Sequence, residues 1–370
     1  MKLIVAEYAG FCFGVGRALK AAYENIEKGE PLYSLGPIIH NPQVVSELEE
    51  KGVTVINSAD DAVENSTVII RSHGVAPEVY EKLKAKNVNI IDMTCPYVKR
   101  IHETVQKYRK MGYDIIIIGE KDHPEVIGIN GWADNKCIVV NSPEDVESIQ
   151  PSQKPYCIVA QTTTVKEKWD ELIRKILKRL PNSEIFCTIC SATSNRQREA
   201  VRIAKLADTM LVIGGRNSSN TRKLVSICRE YCEKTYAVEH IDDIPDIPTE
   251  DIVGITAGAS TPEWLIKEVI SKMNEKISQD ETSFAEAMDR MFVSIKNGQI
   301  VKGTVVLVNS NEICVNIGYK SDGIIPLNEL DLKPNEDIFS KYHVGDEIEA
   351  EVLKVNDGEG NVLLSERKVA

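Results

Sequence analysis

The chain has no surplus of positive charge. Its 44 Lys and Arg stand against 56 Asp and Glu, a formal net charge of −12. Such a chain gains no general attraction to nucleic acid or an anionic membrane, so an anionic ligand must be held by local groups. Also missing is any apolar run approaching the roughly 20 residues that span a bilayer. The opening "MKLIVAEYAGFCFGVG" lacks the charged region, long apolar core and cleavage site of a signal peptide. A cytoplasmic protein without a membrane partner is expected. No G-x-G-x-x-G or G-x-x-x-x-G-K-[ST] stands between a strand and a helix, which leaves a nucleotide fold unsupported.

Nine cysteines are present, and in a reducing compartment they do not read as a disulfide framework. One C-x-x-C pair, Cys187 and Cys190, has no second pair to complete a zinc knuckle. The C-x-x-x-C-x-x-C triplet of radical enzymes is absent.

What the chain does have is a threefold repeat. Up to about residue 278, apolar runs such as "DIIIIG", "PYCIVA" and "TMLVIG" alternate with helical patterns, which predicts an α/β fold with parallel sheets. Cys12, Cys95 and Cys190 each precede a helical segment and then a strand ending in glycine, at Gly36, Gly119 and Gly214. Each glycine lies 24 residues after its cysteine. At offset 28 stand His40, His123 and Ser218, and at offset 30 Pro42, Glu125 and Asn220. Later strands end in His73, in Thr162 with Thr163, and in Ser260. In open α/β sheets, ligands bind beyond the carboxyl ends of the strands. Three copies around a pseudo-threefold axis, a trefoil of modules at about 1–94, 95–189 and 190–278, would aim these tips at one centre. Cys187 has no counterpart in the other copies, where the same offset gives Ala9 and Asp92. Cys190 is therefore the member of the pair expected to face the axis. Cys137, Cys157, Cys228, Cys232 and Cys314 fall outside the register and read as packing thiols.

Three converging thiolates suit a [4Fe–4S] cluster with one iron left open, a Lewis-acid site, better than a four-ligand structural zinc. Hydroxyls, amides, imidazoles and helix N-termini from His40, His73, His123, Thr162, Thr163, Ser218, Ser219, Asn220 and Ser260 could hold a phosphate without a Lys/Arg cluster. Glu125 is the one carboxylate in that set, and a dry pocket would raise its pKa toward that of a proton donor.

The motifs "GFCFGV", "SLGPIIHNPQVV", "RSHGV", "DMTCPYV", "DHPEVIG", "QTT", "TICSATSNRQ", "NSSNTRKL" and "TAGASTPEWL" stand in order over residues 1–278. With them the chain resembles the LytB/IspH family. The resemblance implies reduction of (E)-4-hydroxy-3-methylbut-2-enyl diphosphate by two electrons and two protons. Water leaves, and isopentenyl and dimethylallyl diphosphate form in the last step of the methylerythritol phosphate route. It also implies one [4Fe–4S] cluster on Cys12, Cys95 and Cys190, and electrons from ferredoxin or flavodoxin. By the same likeness His40, His73, His123, Ser218, Ser219, Asn220 and Ser260 hold the diphosphate, with His123 also catalytic, close to the proton path; Thr162 orients the substrate hydroxyl, and Glu125 serves proton transfer.

Residues 279–296 read as a linker carrying a short amphipathic helix, Phe284 to Ile295. From 297 onward, short β-runs separated by turns predict a five-stranded OB-type barrel. This tail resembles an S1-type domain, most closely the leading repeat of bacterial ribosomal protein S1, and implies a contact with a ribosomal protein or RNA. Its 7 Lys and Arg against 13 Asp and Glu give no basic stripe for RNA. An iron–sulfur sensor tied to translation is the alternative to an enzyme. A sensor needs the cluster but not the diphosphate pocket, whose residues are all present.

Overall fold

A parallel strand buried on both faces needs apolar side chains at every position, and "DIIIIG" supplies four in a row. The computed structural model describes residues 1–278, 295–309, 311–319, 322–333, 337–355 and 361–369. In it Ile115 and Ile117 enter one core with Ile101, Val105, Val126 and Ile129. Ile116 and Ile118 enter another with Val146, Trp169, Leu172 and Ile176. The alternation of a strand thus becomes a sheet covered by helices on both faces.

The chain opens with β1 (Lys2–Val5) and α1 (Phe13–Ile26). The first complete sheet is built from β2 (Leu32–Leu35), β3 (Val53–Ile56), β4 (Thr67–Ile70) and β5 (Asn89–Asp92), with α2 (Pro42–Glu50) and α3 (Pro77–Ala85) between them. After α4 (Pro96–Lys110) comes a second, from β6 (Asp114–Ile118), β7 (Ile138–Val140), β8 (Tyr156–Ala160) and β9 (Ser183–Ile185), joined by α5 (Pro124–Gly131), α6 (Pro143–Ser148) and α7 (Lys166–Arg179). After α8 (Ser191–Ala204) follow β10 (Thr209–Ile213), α9 (Ser219–Arg229), β11 (Thr235–Val238), β12 (Ile252–Ala257) and α10 (Glu263–Ser278).

All three sheets are parallel. Their orders are β3-β2-β4-β5, β7-β6-β8-β9 and β11-β10-β12-β1. These are one topology repeated, provided β1 is counted as the fourth strand of the third sheet. The expected module at 1–94 is crossed by that strand: Lys2–Val5 pairs with Ile252–Ile255, because the third sheet would otherwise lack its outer strand. Two compact units are distinguished. One comprises residues 1–17, 198–216 and 224–370 and holds the third sheet; the other comprises residues 18–197 and 217–223 and holds the first two. Among the described residues no helix is long and apolar enough to cross a membrane.

The C-terminal part closes into a barrel of order β13-β14-β15-β17-β16. Its strands are β13 (Ile300–Val308), β14 (Glu312–Asn316), β15 (Gly323–Pro326), β16 (Glu347–Lys354) and β17 (Val362–Ser365). Closure removes the unpaired sheet edges that invite aggregation. Alternating residues such as Ile348, Ala350 and Val352 fill the interior, with Val305, Ile313, Val315 and Ile325. Ile295 packs in the same core, so the barrel's interior begins just before the boundary expected at 297. The helix expected from Phe284 to Ile295 lies, except for its last residue, outside the described residues.

One glycine in the second unit is held by its surroundings. Gly74, directly after His73, has φ +68°. A Cβ placed there would come within 2.7 Å of His102 Cε1 and 2.8 Å of Thr94 Cγ2. Gly74→Ala should therefore destabilise the fold by more than about 1 kcal/mol. A lowered urea midpoint is the expected measurement, and an unchanged one would show that the loop yields.

Candidate functional site

The cysteines in register occupy one structural station. Each opens a helix, α1, α4 or α8, and each donates its backbone N–H to a carbonyl two residues beyond the third strand of a sheet. Cys95 reaches Ser72 O at 3.0 Å, Cys190 reaches Thr162 O at 3.1 Å, and Cys12 reaches Ala259 O at 3.1 Å. All three thiols are partly exposed, whereas Cys157, Cys228, Cys232 and Cys314 are buried. Burial pushes the thiols of Cys157, Cys228 and Cys314 up to about 12, and that of half-buried Cys137 likewise. Cys187 is exposed and away from this station. Cys190 Sγ takes the N–H of Thr193 at 3.3 Å and lies 3.0 Å from its hydroxyl. Tyr97 Oη lies 2.9 Å from Ser191 Oγ, joining the residues that follow Cys95 and Cys190. Among the described residues no three His, Cys, Asp or Glu are grouped closely enough to hold a single metal ion. Three thiols at helix starts are, however, the soft donors that an iron–sulfur cluster takes.

Within the second unit the histidines expected at strand tips come together. The rings of His40 and His73 are 5.1 Å apart, and those of His73 and His123 are 5.3 Å apart. Burial lowers the pKa of all three, and the guanidinium of Arg71 adds to this. His40 and His123 fall to about 4. His73 falls well below its ordinary value, and its Nδ1 is buried without a partner. His123 caps α5, its Nδ1 accepting the N–H of Glu125 at 3.2 Å. In the neutral ring that leaves the proton on Nε2, available as a donor.

Glu125 is almost wholly buried, at 2% exposure. Its carboxylate accepts the backbone N–H of Thr162 at 2.6 Å and the Thr162 hydroxyl at 2.7 Å. Burial raises its pKa, with those two hydrogen bonds opposing. Thr163 Oγ1 accepts from Gln161 Nε2 at 3.0 Å and lies 3.4 Å from Ser219 Oγ.

Ser218, Ser219 and Asn220 are buried at the start of α9. Ser218 Oγ accepts the N–H of Thr221 at 3.3 Å, as an N-cap does. Both side-chain amide atoms of Asn220 are buried without a partner. Ser219 donates its hydroxyl to Glu120 Oε1 at 2.8 Å. The sequence reading missed this carboxylate. Nor did it single out the basic residues beside it: Lys223 Nζ and Arg222 Nη2 meet Glu120 at 2.7 and 3.0 Å. The basic pair in "NSSNTRKL" was the available signal, and its meaning depended on Glu120, 99 residues away from Ser219. Arg71 was missed as well. Its guanidinium packs so closely on Gly36 that a Cβ there would lie 2.7 Å from Cζ.

Cys12 and Ser260 belong to the other compact unit and share one strand tip there. Ser260 directly follows Ala259, the residue whose carbonyl accepts from Cys12, and is buried.

The chain matches the LytB protein family over residues 3–274 and the S1 RNA binding domain over residues 294–367. It is 42% identical to the 4-hydroxy-3-methylbut-2-enyl diphosphate reductase of Clostridium acetobutylicum, a match covering 100% of this chain and 59% of that protein. For the reductase of the same name in Clostridium tetani the values are 43%, 96% and 56%. The chain thus spans little more than half the length of these two relatives. It is 47% identical to the reductase of Caldanaerobacter subterraneus subsp. tengcongensis, covering 76% of this chain and 99% of that one. Among solved structures, the E-1-hydroxy-2-methyl-but-2-enyl-4-diphosphate reductase of Plasmodium falciparum superposes with a TM-score of 0.71 at 31% identity, over 74% of this chain and 88% of that one. With the fold, the repeated cysteine station and this match over most of its length, the chain belongs to the LytB family and carries an S1 domain after it.

Proposed function

We propose that this chain reduces (E)-4-hydroxy-3-methylbut-2-enyl diphosphate to isopentenyl and dimethylallyl diphosphate, with two electrons and two protons consumed and water released. The observation that carries the reading is a set of buried polar atoms lacking partners, His73 Nδ1 and the Asn220 amide, in the unit that also holds a neutral histidine trio and a buried carboxyl. Buried polar atoms without partners are rare in folded proteins, and here they match a polyanionic ligand. Cys12, Cys95 and Cys190 would hold the [4Fe–4S] cluster. When bound, the cluster supplies electrons, taken from ferredoxin or flavodoxin, and a Lewis-acidic iron without a protein ligand.

The chain's own residues do the rest. His40, His73, His123, Thr163, Ser218, Ser219, Asn220 and Ser260 bind the diphosphate as donors, with the N-terminus of α9 favouring its charge. Thr162 orients the substrate hydroxyl. Burial favours the protonated form of Glu125, and a protonated Glu125 donates to Thr162 Oγ1 rather than accepting from it. The proton then passes from carboxyl to hydroxyl to substrate without crossing water. Binding energy from the remote diphosphate is thereby spent on orientation. Delivery of a proton to either end of the allylic unit yields the two products. The S1 barrel, net acidic, is proposed to touch a ribosomal protein or RNA and to take no part in the chemistry.

Anaerobic reconstitution with reduced electron carrier and substrate should yield both five-carbon diphosphates; a fully loaded protein that makes neither overturns the reading. Glu125→Gln should keep the cluster's absorbance and lose about 10²- to 10⁴-fold in kcat. Near-normal turnover in that variant would remove the proton role.

Neutral histidines also leave a trace in stability. The unfolded chain takes up protons below about 6.5, while folded His40 and His123 do so only near 4. Their contribution is therefore full above 6.5 and lost as pH falls toward 4. The urea midpoint should drop across that window, and the drop should shrink in His40→Asn. An equal slope in the variant would show that His40 is not among the groups responsible.

A further inference from the structure

We propose that Glu120 competes with the substrate's diphosphate for Ser219 and Lys223, and so sets the affinity of the pocket. The proposal rests on the diphosphate reading of that pocket and adds a residue that opposes binding.

A serine hydroxyl has one proton to give. In Ser219 that proton goes to Glu120 Oε1 at 2.8 Å, and Ser219 is 4% exposed, so no solvent layer separates the alternatives. The Lys223 ammonium lies 2.7 Å from the same carboxylate and 3.4 Å from Thr163 Oγ1. Arg222 adds a third contact at 3.0 Å from the more exposed side. Burial pushes the Glu120 carboxyl up, but Lys223 and Ser219 outweigh it and hold it at about 2, so it is ionised at every working pH. One carboxylate thus collects a hydroxyl and two cations at the start of an 11-residue helix. Those are the groups that a phosphate would use.

The neighbouring Asn220 provides the independent observation. At 5% exposure, both its amide atoms lack partners, whereas the adjacent Ser219 is satisfied by Glu120. The start of the helix is therefore half satisfied from within and half unsatisfied. A diphosphate that meets Asn220 also comes within reach of Ser219. To gain its proton and the Lys223 charge, the phosphate must displace a carboxylate of its own sign. Like charges brought together in this way weaken binding, which keeps the pocket from holding every diphosphate tightly.

A purely structural tether predicts the opposite sign. If Glu120 only fixes the start of α9, its loss loosens the pocket and weakens binding. The test uses the reconstituted holoprotein and inorganic pyrophosphate, titrated anaerobically by calorimetry. Glu120→Gln keeps the shape and removes the charge; it should bind pyrophosphate about tenfold more tightly. Lys223→Gln should bind about tenfold more weakly, with a shallower dependence on salt. In the double variant, the gain from Glu120→Gln should shrink, because Lys223 is one of the groups released. Glu120→Asp, which keeps the charge but withdraws it from Ser219, should bind at least as tightly as the wild type and serves if the Gln variant fails to fold. Weaker or unchanged binding in folded Glu120→Gln, or weaker binding in folded Glu120→Asp, overturns the competition while leaving the diphosphate pocket standing. If the wild type itself binds no pyrophosphate, the pocket reading fails, and the competition fails with it.

Discussion

A backbone hydrogen bond made three times organises this chain. In each sheet the residue two past the third strand offers its carbonyl, and a cysteine at the next helix start takes it with its N–H. The bond fixes where the helix begins and how far the thiol stands from the sheet. The strand tips that carry Ser72, Thr162 and Ala259 also carry His73, Thr163 and Ser260. Metal-type donors and anion-type donors are therefore placed at the same strand tips. Buried parallel strands such as β8 and β10 supply the rigid base that makes such tips reproducible.

In the second unit, burial sets the charge of the polar groups at the strand tips. Three imidazoles stay neutral through burial and the presence of Arg71. Glu125 is pushed toward its neutral form by burial. Two cations on α9 are met by Glu120. Neutral donors bind an anion without the desolvation cost of an exposed basic cluster, and they leave the protonation state of Glu125 little disturbed.

Much of this was legible in the sequence, for a physical reason. The offset of 24 residues from cysteine to glycine is the length of one helix and one strand, so it survives as a pattern in the chain. His40, His123 and Glu125 fall in that register with Cys12, Cys95 and Cys190, and Cys187 does not. Glu120, Arg71 and Lys223 were not legible. Glu120 and Lys223 meet across different modules and Arg71 meets Gly36 from another strand tip, and charged residues at those positions look like ordinary solvated surface. The placement of β1 was hidden as well, because a repeat search sees where copies resemble one another and not which strand completes which sheet.

That strand has a kinetic meaning. Lys2 pairs with Ile252, so β1 finds its partner only after nearly the whole α/β region between them has been synthesised. Closing a loop of that length costs entropy that grows slowly with length but must be met before the pairing returns anything. The two inner sheets can form in the order of synthesis; the third cannot. Cys12, following β1 and bonded to the tip of β12, is thus the last of the three thiols to reach its station.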